Sequence, residues 1–205
     1  MPQGPPETRD VRPQASYSIA RQGDSRLTLA ASLTSLRSLP HTLHSRWDDA
    51  MRLTELLNEK AITTRLRART KRDAIAELVG LLEFAHDIDS QGEILDRVFR
   101  REAMMSTGIG NGVAIPHGKA RLVDRLVAAC GVSPDGIDFE SVDGEPASLF
   151  ILLVAPESGG ALHVKVLANI SRLLKEESVR QSLREAASPE SFMTALRAAE
   201  AVHIP

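Results

Sequence analysis

The sequence is poor in aromatic residues and in cysteine. Phe, Trp and Tyr together make up 3% of the 205 residues, and Cys130 is the single cysteine. One cysteine excludes an internal disulfide framework and a zinc site built on several thiolates. What remains is an ordinary globular composition, with 42% apolar and 25% charged residues, enough apolar material for a core of normal size.

An excess of charge and a long apolar run are also missing. Lys and Arg number 25 against 27 Asp and Glu, a formal net charge of −2, so no strong field attracts nucleic acid or an anionic membrane. No apolar run reaches the ~18 residues of a membrane-spanning helix. The amino terminus lacks the pattern of a secretion signal. The sequence therefore predicts a cytoplasmic protein with no nucleic-acid partner and no direct membrane insertion.

The few aromatic residues divide the chain in two. Tyr17 and Trp47 lie in the first 50 residues, a segment rich in Ser, Gln, Pro and Arg, whereas every Phe comes later. Such a composition buries too little apolar surface to offset the entropy of ordering, and it predicts a disordered or weakly structured leader over residues 1–50. Two alternatives stay open: a transit peptide, which the acidic residues disfavour, and a natural start at Met51.

Regular patterning begins at Met51 and predicts interleaved helices and strands. Apolar spacing indicates a short opening helix, a helix that begins at Thr70 and another that begins at Asp89 or Ser90. Turn signals separate the later elements. Together they predict an α/β fold, a single compact domain with a central mixed β-sheet flanked by helices on both faces. The remaining predicted elements are strands at 61–68, 126–132 and 148–154 and helices at 161–176, 178–186 and from Ser188.

A glycine-rich segment followed by a histidine carries the chemical signal. Gly108, Gly110 and Gly112 allow sharp turns and close approach of backbone N–H groups to an anion. The segment precedes a strand and lacks a Gly-Lys-Ser/Thr end, so it is neither a dinucleotide fingerprint nor a P-loop. Pro116 fixes the backbone before His117, and Gly118 removes bulk after it. This pattern favours a nucleophilic or phosphoryl-accepting histidine.

The segment resembles the phosphorylation site of type-2 enzyme IIA domains of the phosphoenolpyruvate-dependent phosphotransferase system, the fructose/mannitol and nitrogen-regulatory family. The resemblance rests on STGIGNGVAIPHGKA and extends over Met51–Ala201 through LTELL, TKRDAIAEL, ILDRVFRREA, SPDGIDFESVDGEP and LHVKVLANISRLL. It implies an IIA domain over residues 51–201, with 202–205 as a tail.

Three site residues follow from the resemblance. It implies that His117 accepts a phosphoryl group from an HPr-like carrier, that His163 faces it, and that Arg101 organises the pocket. Thr107 and the backbone of the glycine segment are expected to bind phosphate. Mannitol-type members carry Glu where this chain has Asn111, an amide that cannot ionise and so cannot supply a charge at that position. The expected phosphate-binding residues are Thr107, Gly108, Gly110, Asn111 and Gly112.

The downstream role stays open at this stage. The resemblance implies a phosphotransferase component that passes its phosphoryl group to a IIB component; the alternative is a regulator that binds its targets according to phosphorylation and transports no sugar. No cofactor or metal is expected, because two histidines without a clear carboxylate partner make an incomplete zinc ligand set. From the residues alone, the favoured interpretation of His163 is a solvated helix start, and that of Arg101 is an exposed charged helix face.

Overall fold

The structure, a computed structural model, describes residues 51–204. The predicted leader over residues 1–50 lies outside the described residues. The described part forms helices α1 to α6 and strands β1 to β6, with a short 3-10 turn at Glu59–Ala61. The helices are Leu53–Leu56, Lys71–His86, Glu93–Met104, Gly160–Leu173, Glu177–Arg184 and Pro189–His203; the strands are Ile62–Thr63, Gly108–Gly110, Val113–Ala114, His117–Ala120, Val127–Ile137 and Ala147–Pro156.

Strand β6 is the centre of a mixed six-stranded sheet. It pairs antiparallel with β5, while β3 and β4 pair with it in parallel, one after the other. The strand order is β1-β5-β6-β3-β2, with β4 on β6 as well. Residues Leu149 to Ala155 of β6 are almost completely buried, as a strand covered on both faces should be. The predicted mixed sheet with flanking helices is confirmed.

Two helix starts show the capping chemistry that the sequence indicates. The Thr70 hydroxyl accepts the backbone N–H of Asp73 at the start of α2. Ser188 and Ser191 cap each other at the start of α6, whose first residue is Pro189. Such caps satisfy N–H groups that have no partner within the helix, and both predicted starts are confirmed.

The glycine-rich segment differs from the predicted loop. It contains strand β2, which turns at Asn111 and Gly112 and pairs antiparallel with β3. Asn111 has φ of 55° and Gly112 has φ of 73°, a left-handed pair that suits Asn and Gly in a tight hairpin. The glycine-rich segment therefore forms a hairpin, and Gly112 supplies the positive φ that its turn requires.

Other predicted boundaries also moved. The predicted strand over 61–68 shortens to Ile62–Thr63, and α3 begins at Glu93 after Gly92 in the left-handed region. The predicted turn at 133–136 lies inside β5, where the pairing register shifts between Val132 and Ile137. Gly136 at φ of 71° allows this irregularity without breaking the strand.

Candidate functional site

A cavity of about 370 Å³ brings three of the predicted site residues together. His117 is the first residue of β4, Arg101 lies in the last turn of α3, and His163 lies in the first turn of α4. The full lining is Arg97, Arg100, Arg101, Met104, His117, Gly118, Lys119 and His163.

The His117 ring is oriented by hydrogen bonds on both of its nitrogens. Nδ1 lies 2.8 Å from the carbonyl oxygen of Ile115, and because a carbonyl only accepts, Nδ1 carries the proton. Nε2 therefore holds the lone pair, and Arg101 Nε donates to it at 3.0 Å. The second ring nitrogen is thus the nucleophilic one, and it faces a permanent positive charge.

Burial lowers the pKa of the His117 imidazole below its usual value. The hydrogen bond to the Ile115 carbonyl opposes this shift, while the positive charge of Arg101 reinforces it. Because the net direction is downward, His117 is neutral near pH 7. A neutral imidazole is the form in which the nitrogen lone pair attacks phosphorus.

Arg101 is held by a second contact besides the one to His117. Its Nη1 donates to the backbone carbonyl of Met105 at 2.9 Å. The guanidinium is a planar group with fixed donor directions, so two hydrogen bonds fix its plane. The side chain is preorganised at the imidazole before any ligand arrives.

Gly118 allows α3 to lie close to β4. A Cβ at this position would come within 3.2 Å of Val98 Cγ2 and 3.3 Å of the Val98 backbone nitrogen. These distances are tighter than ordinary van der Waals contact. The absent side chain therefore sets the helix–strand spacing that brings Arg101 of α3 to His117 of β4.

His163 contacts the His117 ring from α4. The ring centroids lie 5.4 Å apart and the rings are tilted by 52°. His163 is 6% exposed, and among the described residues its Nδ1 has no hydrogen-bond partner. Burial, with the neighbouring His117, Lys119 and Arg101, lowers the pKa of His163 to about 4. Both imidazoles are consequently neutral at neutral pH.

Thr107 and Gly108 have protein partners away from the cavity. The Thr107 N–H and hydroxyl both donate to the buried carboxylate of Glu102. A Cβ on Gly108 would come within 2.6 Å of Ser141 Oγ, so this glycine allows close packing. Neither residue lines the His117 cavity, and their predicted contact with phosphate stays a prediction.

The turn of the glycine hairpin is likewise occupied by protein contacts. The Asn111 N–H donates to the Asp143 carboxylate at 2.7 Å, which helps to lower the pKa of Asp143. The Gly112 carbonyl accepts N–H groups from Ser148 and Leu149. Gly110, Asn111 and Gly112 do not line the cavity either, so their expected role in phosphate binding also stays a prediction.

Besides Arg101, the lining includes three basic residues to which the sequence analysis assigned no role. Arg97, Arg100 and Arg101 recur at helical spacing and present one face of α3, and Lys119 adds a fourth cation from β4. Of the described residues that line the cavity, none is acidic. Spacing of three and four residues within the charged run was the signal that could have found this face. Arg97 and Arg100 are paired with acidic residues outside the lining, Glu157 at 3.0 Å and Asp96 at 2.9 Å, so the attraction for an anion rests mainly on Arg101 and Lys119.

No helix within residues 51–204 has the length and hydropathy that a bilayer crossing requires. Within the same range, no group of three or more His, Cys, Asp or Glu side chains is placed to hold a metal ion.

Comparison with known proteins places the chain in a family. The family model described as "Phosphoenolpyruvate-dependent sugar phosphotransferase system, EIIA 2" matches residues 55–199. The chain is 36% identical over 143 residues to the fructose-specific EIIABC component of Bacillus subtilis, covering 70% of this chain and 22% of that relative. It is 35% identical over 148 residues to a nitrogen regulatory protein of Bradyrhizobium diazoefficiens, covering 71% of this chain and 95% of the relative.

A solved structure agrees with this match. The crystal structure of nitrogen regulatory protein IIA-Ntr from Neisseria meningitidis superposes with a TM-score of 0.66 at 30% identity, over 70% of this chain and 98% of that one. The family model covers more than half of the chain, and the resemblance that the sequence indicates is confirmed. The chain belongs to the EIIA type-2 family of the phosphoenolpyruvate-dependent sugar phosphotransferase system, whose members are phosphotransferase components.

Proposed function

We propose that this protein is a cytoplasmic phosphohistidine carrier, in which His117 accepts a phosphoryl group from an HPr-like carrier and passes it on. The observation that carries the proposal is the double hydrogen bonding of the His117 ring: Ile115 holds the proton on Nδ1, and Arg101 meets the lone pair on Nε2. A nucleophile of fixed tautomer beside a fixed cation is what direct phosphoryl transfer needs.

The proposed step needs no proton transfer. The Nε2 lone pair of His117 forms a bond to phosphorus while the donor's N–P bond breaks, and the electron pair of that bond returns to the donor's imidazole nitrogen. The proton stays on Nδ1, which donates it in the hydrogen bond to the Ile115 carbonyl, and this bond supports the positive charge of the phosphorylated ring. Transfer to a downstream acceptor is the same exchange in reverse.

The basic residues of the cavity lining suit the negative charge of the phosphoryl group. The phosphoryl oxygens would lie next to Arg101 and Lys119, which supply charge-assisted donors. Arg101 Nε would move its hydrogen bond from Nε2 to a phosphoryl oxygen. We assign His163 the role of a second donor to the phosphoryl group, because its ring adjoins that of His117.

The test is phosphoryl transfer from phosphoenolpyruvate through enzyme I and HPr to the purified full chain. We expect an acid-labile phosphate that His117→Ala abolishes, while His163→Ala still labels but transfers poorly. His86→Gln is the matched control, because His86 is also half-buried and also bonds a backbone carbonyl, that of Ala128. Strong labelling of His117→Ala would contradict the proposal, and equal loss in both site variants would mean that the two roles are misassigned.

Two acceptors are candidates for the next step. The name of the fructose-specific relative joins an A component to B and C components, which supports a IIB component as acceptor. A regulatory role is the second candidate, because the chain is 35% identical to a nitrogen regulatory protein over 95% of that relative's length. Single-turnover transfer from the labelled protein to a fructose-type IIB domain separates them. Rapid loss of label favours transport, whereas label that stays on this protein favours regulation.

A further inference from the structure

Glu102 is a buried carboxylate next to the site, and the phosphoryl chemistry above does not use it. It follows Arg101 in the charged run at the end of α3, yet it is only 7% exposed. The buried positions of α3 are Ile94, Val98 and Glu102, so the side chain occupies the next place on the apolar face. A carboxylate in such a place must be paired and hydrogen-bonded to be tolerated.

The partners of Glu102 come from two other elements. Lys71 at the start of α2 lies 2.7 Å from Oε1, and the backbone N–H of Thr107 donates to Oε1 at 3.0 Å. The Thr107 hydroxyl donates to Oε2. Burial alone would lower the pKa of Lys71, but its contacts with Glu102 and Glu140 raise it. Lys71 therefore stays protonated at neutral pH and pairs with Glu102 as a cation.

One line of contacts runs from Glu102 to the Nε2 side of His117. Because the Glu102 carboxylate bonds to Thr107, residues 102–107 form a short closed loop, and Met105 lies within it. The Met105 carbonyl accepts Arg101 Nη1 at 2.9 Å, and Arg101 Nε donates to His117 Nε2 at 3.0 Å. Fixing the segment fixes the carbonyl that orients the guanidinium.

A second line runs from Glu102 to the Nδ1 side of the same ring. With its N–H and hydroxyl held by the carboxylate, the Thr107 carbonyl accepts the Ile115 N–H at 3.0 Å. The Ile115 carbonyl then bonds His117 Nδ1 at 2.8 Å. The two lines begin at one carboxylate and end on the two nitrogens of one imidazole.

We propose that Glu102, paired with Lys71, is a positioning residue that fixes both the tautomer of His117 and the approach of Arg101. The proposal rests on the proposed phosphoacceptor role of His117 for its effect on rate, but its effect on the tautomer does not depend on that role. Glu102 does not line the cavity, so it acts through Thr107, Ile115 and Arg101 and not on the phosphoryl group.

Glu200 offers a matched control elsewhere in the fold. It is 1% exposed and accepts both the backbone N–H of Thr54, at 3.2 Å, and the Thr54 hydroxyl, at 2.6 Å. Glu200 thus repeats the threonine contacts of Glu102 but joins α6 to α1. A structural loss common to buried carboxylates will appear in both Glu102→Gln and Glu200→Gln.

The experiment measures two properties of the full-length variants. Nitrogen-15 NMR of the His117 ring at mildly alkaline pH gives the tautomer, and labelled phosphate from HPr gives the rate of phosphoryl acceptance. We expect Glu102→Gln to mix the two tautomers and to slow acceptance about tenfold or more. Glu200→Gln should leave the His117 signals and the rate as in the wild type. Unchanged His117 signals in folded Glu102→Gln would overturn the proposal.

A milder pair of variants covers the case in which Glu102→Gln does not fold. Thr107→Val removes the hydroxyl donor and keeps the backbone contact, and we expect a smaller shift in the same direction. Thr107→Ser keeps the hydroxyl that Thr107→Val lacks, and we expect it to show the wild-type tautomer. Failure of Thr107→Val to alter the His117 signals would count against the proposal. A wild-type protein that shows the Nδ1 tautomer but takes no phosphate would refute the proposed function and leave the positioning role standing.

Discussion

Replacement of His163 by Gln should remove a large part of the acid sensitivity of the fold. The imidazole is buried against His117 and near the cations Lys119 and Arg101, and the pKa of His163 is lowered from 6.5 to about 4. In the unfolded chain the same group titrates at its ordinary value. Between these two values the unfolded chain binds a proton that the folded protein excludes. Stability is therefore full above pH 6.5 and is lost as the pH falls toward 4.

The expected magnitude follows from the two pKa values. Crossing the whole range between the two pKa values corresponds to roughly 3 kcal/mol. Between pH 8 and pH 5 the His163 contribution to the free energy of unfolding falls by about 2 kcal/mol, because the range is only partly crossed at pH 5. Burial also lowers the pKa of His86 and of His117, so a residual dependence of the same sign remains in the variant.

Urea denaturation of wild type and His163→Gln at the two pH values measures this difference. We expect the wild type to lose about 2 kcal/mol more than the variant on acidification. His203→Gln, at the end of α6, controls for the loss of a histidine in general. An equal pH dependence in wild type and His163→Gln would refute the assignment of a buried neutral imidazole at this position.

Three further substitutions test the geometry around the site. Gly118→Ala should lower the free energy of unfolding by about 1–3 kcal/mol, measured by urea denaturation, because the added methyl meets Val98. Arg101→Lys should slow labelling of His117 about tenfold, because an ammonium does not reproduce the two guanidinium hydrogen bonds. A labelling rate equal to that of the wild type would count against the role of these two hydrogen bonds. Asn111→Val should destabilise the hairpin by about 1–2 kcal/mol in the same urea assay, because the backbone of this residue is left-handed, whereas Asn111→Gly should be close to neutral.

The elements that could be predicted from the sequence are those whose local pattern matches their burial and contacts in the folded protein. The apolar run of β6 is buried along its length, and Thr70 and Ser188 cap their helices. In each case short-range chemistry determines the structure: a side chain that bonds its own helix start, or a continuous apolar segment that has to be covered. His117, His163 and Arg101 line one cavity, as the resemblance implies. That resemblance rests on a long matching segment of sequence, and so it could indicate which distant residues come together.

The rest could not be predicted because it depends on pairing between distant segments. The glycine segment forms a hairpin rather than a loop because β3 pairs with β6, which the local pattern does not show. Glu102 stands in a charged run, and such runs usually form a solvated face. Its place four residues after Val98 was the contrary signal, and only the contacts with Lys71 and Thr107 explain why a carboxylate is stable there.

The central claim is that His117 carries the phosphoryl group on Nε2, and direct observation of the phosphorylated protein tests it. Nitrogen-15 and phosphorus-31 NMR of the chain after reaction with phosphoenolpyruvate, enzyme I and HPr locate the N–P bond. The account predicts one phosphoryl group, on Nε2 of His117, with the proton still on Nδ1. A phosphoryl group on His163, or on Nδ1 of His117, would contradict it.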